Sequence, residues 1–333
     1  MAALEPTYPN TLNQSEIALS VDGLLPSGPN LSHWPGNRTP PAWKADLSTG
    51  ICLNFARATP AERSAFLGDA RKVVNDHYDT DGFLSMLTVV RPELALAHQE
   101  LLLAAAATGD YQAFQTPTAF AIDRIVLGLA RQGSPVAAEF AGLTGAEKDL
   151  ARYLWLLDNA EQVLSPGSEF APLYAEELAT VTAEVAAARG GGVERKFVHA
   201  AQLSVVTSTT ALHRMTLNTV AGGYRVLHVL QSDDGTRFRY HDRTESWFEV
   251  ATFCPPPRAD LRPLAARLQE LESGGAADPG APQWTADPPT DPVPELYFGI
   301  PSAQAYGAVT RDLRPSALTE QQVVAAMAEH LMI

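Results

Sequence analysis

Between residues 71 and 90 the chain changes its pattern twice, and that change limits what it can fold into. Arg71-Lys72-Val73-Val74 is a short run with the texture of a buried strand, and His77-Tyr78-Asp79-Thr80-Asp81-Gly82 is an acidic turn. Phe83 to Val90 then runs with helical spacing up to Arg91-Pro92, where proline disfavours continuation. Strand, loop and helix in that order is the α/β arrangement, which presents loop residues beyond strand C-terminal ends.

The rest of the chain is organised around this segment. Residues 1–44, rich in Pro, Asn and Ser, read as an irregular arm. Ile51 to Phe55 reads as a buried strand, and Thr59-Pro60-Ala61-Glu62 as a helix start leading to about Ala70. Helices are expected over Glu93–Ala107 and over 118–131, 144–164 and 170–189, the last closed by Gly190-Gly191-Gly192. After that glycine run the texture changes. Strands are expected over Lys196–Val206, Tyr224–Leu230 and Arg237–Val250, with a short helix over Thr210–Leu217 and an amphipathic one over Asp260–Glu272. Residues 274–294 read as a loop and Thr319–Met332 as a terminal helix. The expected architecture is therefore an α/β domain with a helical middle over 45–189, then a smaller α+β domain over 193–333.

With 333 residues, 46% of them hydrophobic, the chain is long enough to bury a sizeable core. A formal net charge of -14 argues against broad nucleic-acid binding and against an anionic membrane surface. The longest apolar run, Leu101 to Ala107, is far shorter than the ~20 residues a transmembrane helix needs. The first residues lack the basic-then-apolar pattern of a signal peptide, so a cytoplasmic protein is expected. Cys52 and Cys254 are too few and too far apart for a disulfide framework or a thiolate zinc site, and both are expected to be buried. Oligomeric state leaves no signature.

The acidic turn carries the chemistry. Asp79 and Asp81, two residues apart after a strand, form a compact hard-oxygen site, and His77 adds a borderline nitrogen. Such a set suits Mn²⁺ or Mg²⁺, which polarise a phosphoryl oxygen and acidify bound water. The plainer reading is a turn in which Asp81 caps the following helix.

Val73 to Ser85, with His77-Tyr78-Asp79-Thr80-Asp81-Gly82 at its centre, resembles the first motif of the DHH phosphoesterase superfamily. The resemblance implies that Asp79 and Asp81 are metal ligands, that His77 is a third, and that Asp110 is the lone aspartate of the second motif. The namesake Asp-His-His does not occur in the sequence. The chain as a whole resembles a bacterial family with no assigned activity.

Two further groups are candidates for substrate. His33-Trp34-Pro35-Gly36-Asn37 offers a loop contact through His33, or is simply anchored by Trp34. Arg237, Arg239 and Arg243 fall at even spacings and would share one sheet face, either holding an anion or pairing with surplus acids. Asp46 to Gly50 offers hydroxyls and amides to an anion or forms a capping turn. No Gly-x-Ser-x-Gly, Gly-x-Gly-x-x-Gly or Walker loop is present. The sequence thus points to a metal-dependent hydrolase of a phosphorylated small molecule or short nucleotide. The alternative is a non-catalytic ligand- or partner-binding protein that keeps the turn as scaffold.

Overall fold

The structure is a computed structural model that describes residues 4–13, 16–273, 280–301 and 311–332. The chain divides into two compact units, Met1–Thr180 with Phe248–Cys254, and Val181–Trp247 with Pro255–Ile333. Helices and strands alternate around parallel and mixed sheets, so the fold class is α/β.

The first unit is built on a parallel sheet whose described strands are β1 (Glu5–Thr7), β2 (Ala18–Val21), β3 (Asn30–Leu31) and β4 (Lys72–Val74), in the order β1-β4-β2-β3. Residues expected to form an irregular arm therefore supply three of these four strands. Turn residues were abundant there because the strands are only two to four residues long and need frequent breaks. The segment read as a strand at Ile51 is helix α1 (Ser48–Arg57), buried on several sides. A short apolar run cannot tell a buried strand from a buried helix, because neither leaves a polar face to set the period.

Helix α2 (Pro60–Leu67) starts at a capping box made by Thr59 and Glu62, as its sequence predicted. Helix α3 (Thr80–Val90) follows the acidic turn and buries Phe83, Leu84, Met86 and Leu87 completely. The expected Glu93–Ala107 helix is split at His98 into α4 (Pro92–Ala97) and α5 (Gln99–Asp110). Helices α6 (Pro117–Gly128), α7 (Gly145–Asp158) and α8 (Ala160–Leu164) complete the packing, with a break at Asn159 inside the predicted 144–164 helix. Helix α9 (Ala175–Ala187) spans the boundary between the units, and the chain kinks at Gly191 with φ 92°.

The second unit is a mixed sheet. Its strands are β5 (Glu194–Val198), β6 (Leu203–Ser208), β7 (Arg225–Ser232), β8 (Gly235–Asp242), β9 (Gln283–Ala286), β10 (Glu295–Ile300) and β11 (Asp312–Leu313). They are ordered β11-β10-β8-β7-β6-β5, with β9 pairing to β10. The single strand predicted over Lys196–Val206 is a tight pair, turned at Gln202 with φ 48°. The strand expected to run to Val250 ends at Asp242, and a 3-10 turn over Thr244–Ser246 follows. Strand β9 lies inside the predicted 274–294 loop, of which 274–279 falls outside the described residues.

Helix α10 (Arg214–Val220) begins four residues later than predicted. Helices α11 (Arg262–Ser273) and α12 (Glu320–Leu331) bury Leu264, Leu268, Val323 and Met327 with Leu227, Val229, Phe238 and Phe298. Among the described residues no helix is long and apolar enough to cross a membrane. Cys52 is buried as expected, whereas Cys254 is exposed.

On the sheet face that carries Arg239, burial and the neighbouring guanidinium push the His228 imidazole down to about 4. Its folded value lies below the unfolded one, so the unfolded chain binds the extra proton between about pH 6.5 and 4, and stability falls as pH falls through that window. Urea unfolding of His228→Gln beside the parent should show the parent losing roughly 3 kcal/mol more between pH 7 and pH 4. Parallel pH profiles would contradict a neutral buried His228.

Candidate metal centre

Six side chains of the first unit converge beyond the C-terminal ends of β2, β3 and β4. Asp22 follows β2 with φ 61°, a left-handed conformation that Asp tolerates better than most residues. His33 lies two residues past β3, after Ser32, and His77 sits in the turn after β4. Asp79 is the N-cap of α3, accepting from Gly82 N at 2.8 Å. Asp110 is the last residue of α5.

Asp81 lies in the first turn of α3 but caps a different helix. Its Oδ2 accepts from Ser48 N at 2.8 Å, and its Oδ1 from Thr49 N at 2.8 Å and from Thr49 Oγ1. The α1 N-terminus has no cap of its own, so this carboxylate satisfies its open amides. The amides of the Asp46–Gly50 segment, expected either to meet an anion or to form a capping turn, are capped by Asp81.

The two imidazoles are held alike. His33 Nδ1 lies 2.8 Å from Asp46 O, a carbonyl that can only accept, so Nδ1 donates and Nε2 is the atom turned toward the carboxylates. That Nε2 faces Asp22 Oδ1 at 3.6 Å, Asp81 Oδ2 at 3.8 Å and Asp110 Oδ2 at 3.2 Å. His77 Nδ1 meets Asp76 Oδ1 at 2.9 Å, and its Nε2 meets Asp22 Oδ2 and Asp79 Oδ2, each at 3.1 Å. An imidazole with one nitrogen anchored and the other turned toward carboxylates is the usual posture of a metal-binding histidine.

Ligand atoms of Asp22, His33, Asp81 and Asp110 all lie within 4.8 Å of one another, and so do those of Asp22, His77 and Asp79. Asp22 belongs to both groups. Buried Asp22 Oδ1 and His33 Nε2 form no hydrogen bond. Burial and the charges of Asp79 and Asp81 raise the Asp22 carboxyl to about 6. Burial with Asp81, Asp79 and Asp22 nearby drives Asp110 well above the carboxylate range. Burial would lift Asp79 too, but His77 outweighs it and holds the carboxyl low. Asp22 and Asp110 are short of positive charge, whereas Asp79 already has that of His77.

The surroundings are built to keep this geometry. Asn75, at the end of β4, accepts from Gly23 N and donates to Tyr153 Oη at 3.1 Å and Asp22 Oδ2 at 3.4 Å. Tyr153 in turn donates to His77 O. Gly82 is needed for close approach: a Cβ there would lie 1.9 Å from Asn75 Nδ2. Between the two turn aspartates, Thr80 Oγ1 donates to buried Asp123 at 2.6 Å. Residues 248–254 form a strap over the site. Phe248 stacks on His33 with centroids 3.7 Å apart, and Ala251 N and Thr252 N donate to the Asp46 carboxylate.

Of the residues expected to bind metal, His77, Asp79, Asp81 and Asp110 are all brought together, in two overlapping groups. His33, expected to contact substrate, stands among them instead. The three arginines belong to the second unit and face carboxylates. Arg237 pairs with Asp234 in its own hairpin, Arg243 with Glu245, and Arg239 with Glu295. Only Arg237 and Arg239 share β8, since that strand stops before Arg243. Sequence reading missed Asp22, whose only sign is an aspartate-glycine pair closing the apolar run Ala18–Val21.

Over residues 6–333 the sequence matches a family of unknown function, DUF6687. The chain belongs to that family. No curated protein and no solved structure matches it. The residues of the centre all lie inside the matched span.

Asp22 and Asp81 should respond oppositely to substitution in metal-stripped protein at pH 7. Asp22→Asn keeps a residue that tolerates positive φ and removes a charge whose raised folded value costs stability above about pH 6. It should gain roughly 1–3 kcal/mol in urea unfolding. Asp81→Ala uncaps α1 and should lose a similar amount. A loss at both positions would mean that the carboxylates do not repel one another.

Proposed function

We propose that the chain is a metal-dependent hydrolase acting on a phosphorylated small molecule or short nucleotide. The observation that carries this reading is the pair of buried atoms Asp22 Oδ1 and His33 Nε2, 3.6 Å apart without a hydrogen bond among further carboxylates. Ligand atoms on one octahedral cation about 2.1 Å away stand about 3 Å apart, close to the separations seen here. Asp22, His33, Asp81 and Asp110 would hold one divalent ion, and His77 and Asp79, sharing Asp22, a second. Carboxylates with one imidazole at each position suit Mn²⁺ or Mg²⁺. Bound there, such ions supply charge to a phosphoryl oxygen and acidify water.

The protein's own groups have definable parts in this. Asp46 O and Asp76 orient the two imidazoles, Asn75 aims Asp22, and Phe248 shields one face of His33 from water. The likeness of Val73–Ser85 to the first DHH motif supports the same reaction class. Asp-His-His is absent from this chain, and Asp22 and His33 would supply ligands from ahead of the motif.

A second reading is favoured by the capping roles of Asp79 and Asp81, which would keep both residues in a non-catalytic binding protein. Mn²⁺ calorimetry on the parent, Asp22→Asn and His33→Gln separates the two, because neither target atom makes a hydrogen bond. The hydrolase reading expects binding that weakens at least 10-fold in both variants, together with Mn²⁺-dependent phosphoester cleavage. Absence of Mn²⁺ and Mg²⁺ binding in the folded parent would end it.

A further inference from the structure

The second unit carries an unexpected concentration of positive charge on one face of its sheet. Pairing puts Arg239 of β8 opposite His228 of β7 and Tyr297 of β10, and His241 opposite Glu295. Side chains on paired residues share a face. The opposite face is the apolar one, packed on α11 and α12. Arg214 from α10 and Arg311 ahead of β11 also reach Glu295, so three guanidinium groups surround one carboxylate. Asp287 takes a second bond from Arg311. Three arginines against two carboxylates leave a formal surplus of one positive charge, in a chain whose net charge is -14.

Several donors on this face are unspent. Arg239 uses Nε and Nη2 on Glu295, at 3.1 and 2.7 Å. Arg311 uses Nε on Glu295 and Nη2 on Asp287. Among the described residues the Nη1 of each has no acceptor. Tyr297 is fully buried, yet its hydroxyl makes no hydrogen bond. The Arg311 guanidinium lies over the Tyr297 ring, 4.9 Å from its centroid. A buried hydroxyl without a partner is costly, and this one belongs to the ring that the Arg311 guanidinium covers and that Arg239 faces in register, which marks a place where an acceptor belongs.

We propose that this face, with Arg239, Arg311 and Tyr297 as its donors, is an oxyanion site that takes a phosphoryl group. Glu295 holds the guanidinium planes in place and fixes their direction. Burial alone would raise its carboxyl, but Arg214 and Arg239 outweigh that and hold it at about 2, so it stays ionised. Burial and Arg239 keep His228 uncharged, and burial with the nearby arginines does the same for His241. Donors arriving from separate elements suit the three oxygens of a phosphoryl group better than the two of a carboxylate.

The test is calorimetric titration of the metal-stripped full-length protein with inorganic phosphate, with a simple phosphate monoester and with acetate. One saturable phosphate site is expected, weakened by salt and at least 10-fold tighter than acetate. A monoester bound more tightly than phosphate identifies an esterified ligand, and the reverse identifies the free ion. Tyr297→Phe, which keeps the ring and therefore the packing, should weaken phosphate about 5-fold, in line with the loss of one hydrogen bond. Arg239→Gln should weaken it at least 10-fold if folded by circular dichroism. No saturable binding by the parent, or binding unchanged in Tyr297→Phe, overturns the proposal. Because metal is absent throughout, the result is independent of the Mn²⁺ experiment, and either reading can fail alone.

Discussion

The carboxylate of Asp81 closes the N-terminus of α1, and most of the centre hangs from that contact. Ser48 and Thr49 spend their amides on Asp81. The Ser48 hydroxyl accepts from His33 N at 3.1 Å. One uncapped helix end thereby fixes α3 through Asp81 and the loop after β3 through His33. Helix N-termini favour negative charge, which is why an aspartate can be buried completely here. The arrangement brings a carboxylate from one side of the site and an imidazole from the other, guided by the amides and hydroxyls of Ser48 and Thr49.

That contact holds in place an electrostatically unfavourable assembly. Asp22, Asp79, Asp81 and Asp110 are drawn into a small volume where like charges resist ionisation. Proteins tolerate such crowding where function requires it, at the expense of stability. The second unit has the opposite imbalance, with Arg214, Arg239 and Arg311 about Glu295. Each unit thus concentrates one sign of charge with unspent hydrogen-bonding capacity beside it.

Part of this was legible in the sequence, and the limits have physical causes. The acidic turn could be read because strand, turn and helix are contiguous there, so His77, Asp79 and Asp81 announce themselves. Asp110 is reached only through the family resemblance, as the nearest lone aspartate, because the apolar run ends at Ala107 while α5 continues to Asp110. Asp22 and His33 sit in short loops among prolines and asparagines, where no period exists to reveal the two-residue β3 between them. Helix α1 was misread because its burial on several sides erased the polar stripe. The arginines lay on a common strand as far as Arg239, but their partners come from β10 and from the chain ahead of β11, a pairing that local spacing cannot encode.

The strap at Phe248–Cys254 makes the first unit discontinuous along the chain. A polypeptide emerging from the ribosome has β1 to β4 and α1 to α8 in hand by residue 180, yet the ring that covers His33 has not been made. At ~5–20 residues per second, several seconds pass before Phe248 exists. During that interval the loop after β3 is uncovered, and its closure requires a contact more than two hundred residues distant in sequence. Contacts of that span form slowly. Maturation of the centre is therefore tied to synthesis of a stretch that lies beyond most of the second unit's sheet, so a nascent chain stalled before Phe248 carries its acidic residues without the lid over them.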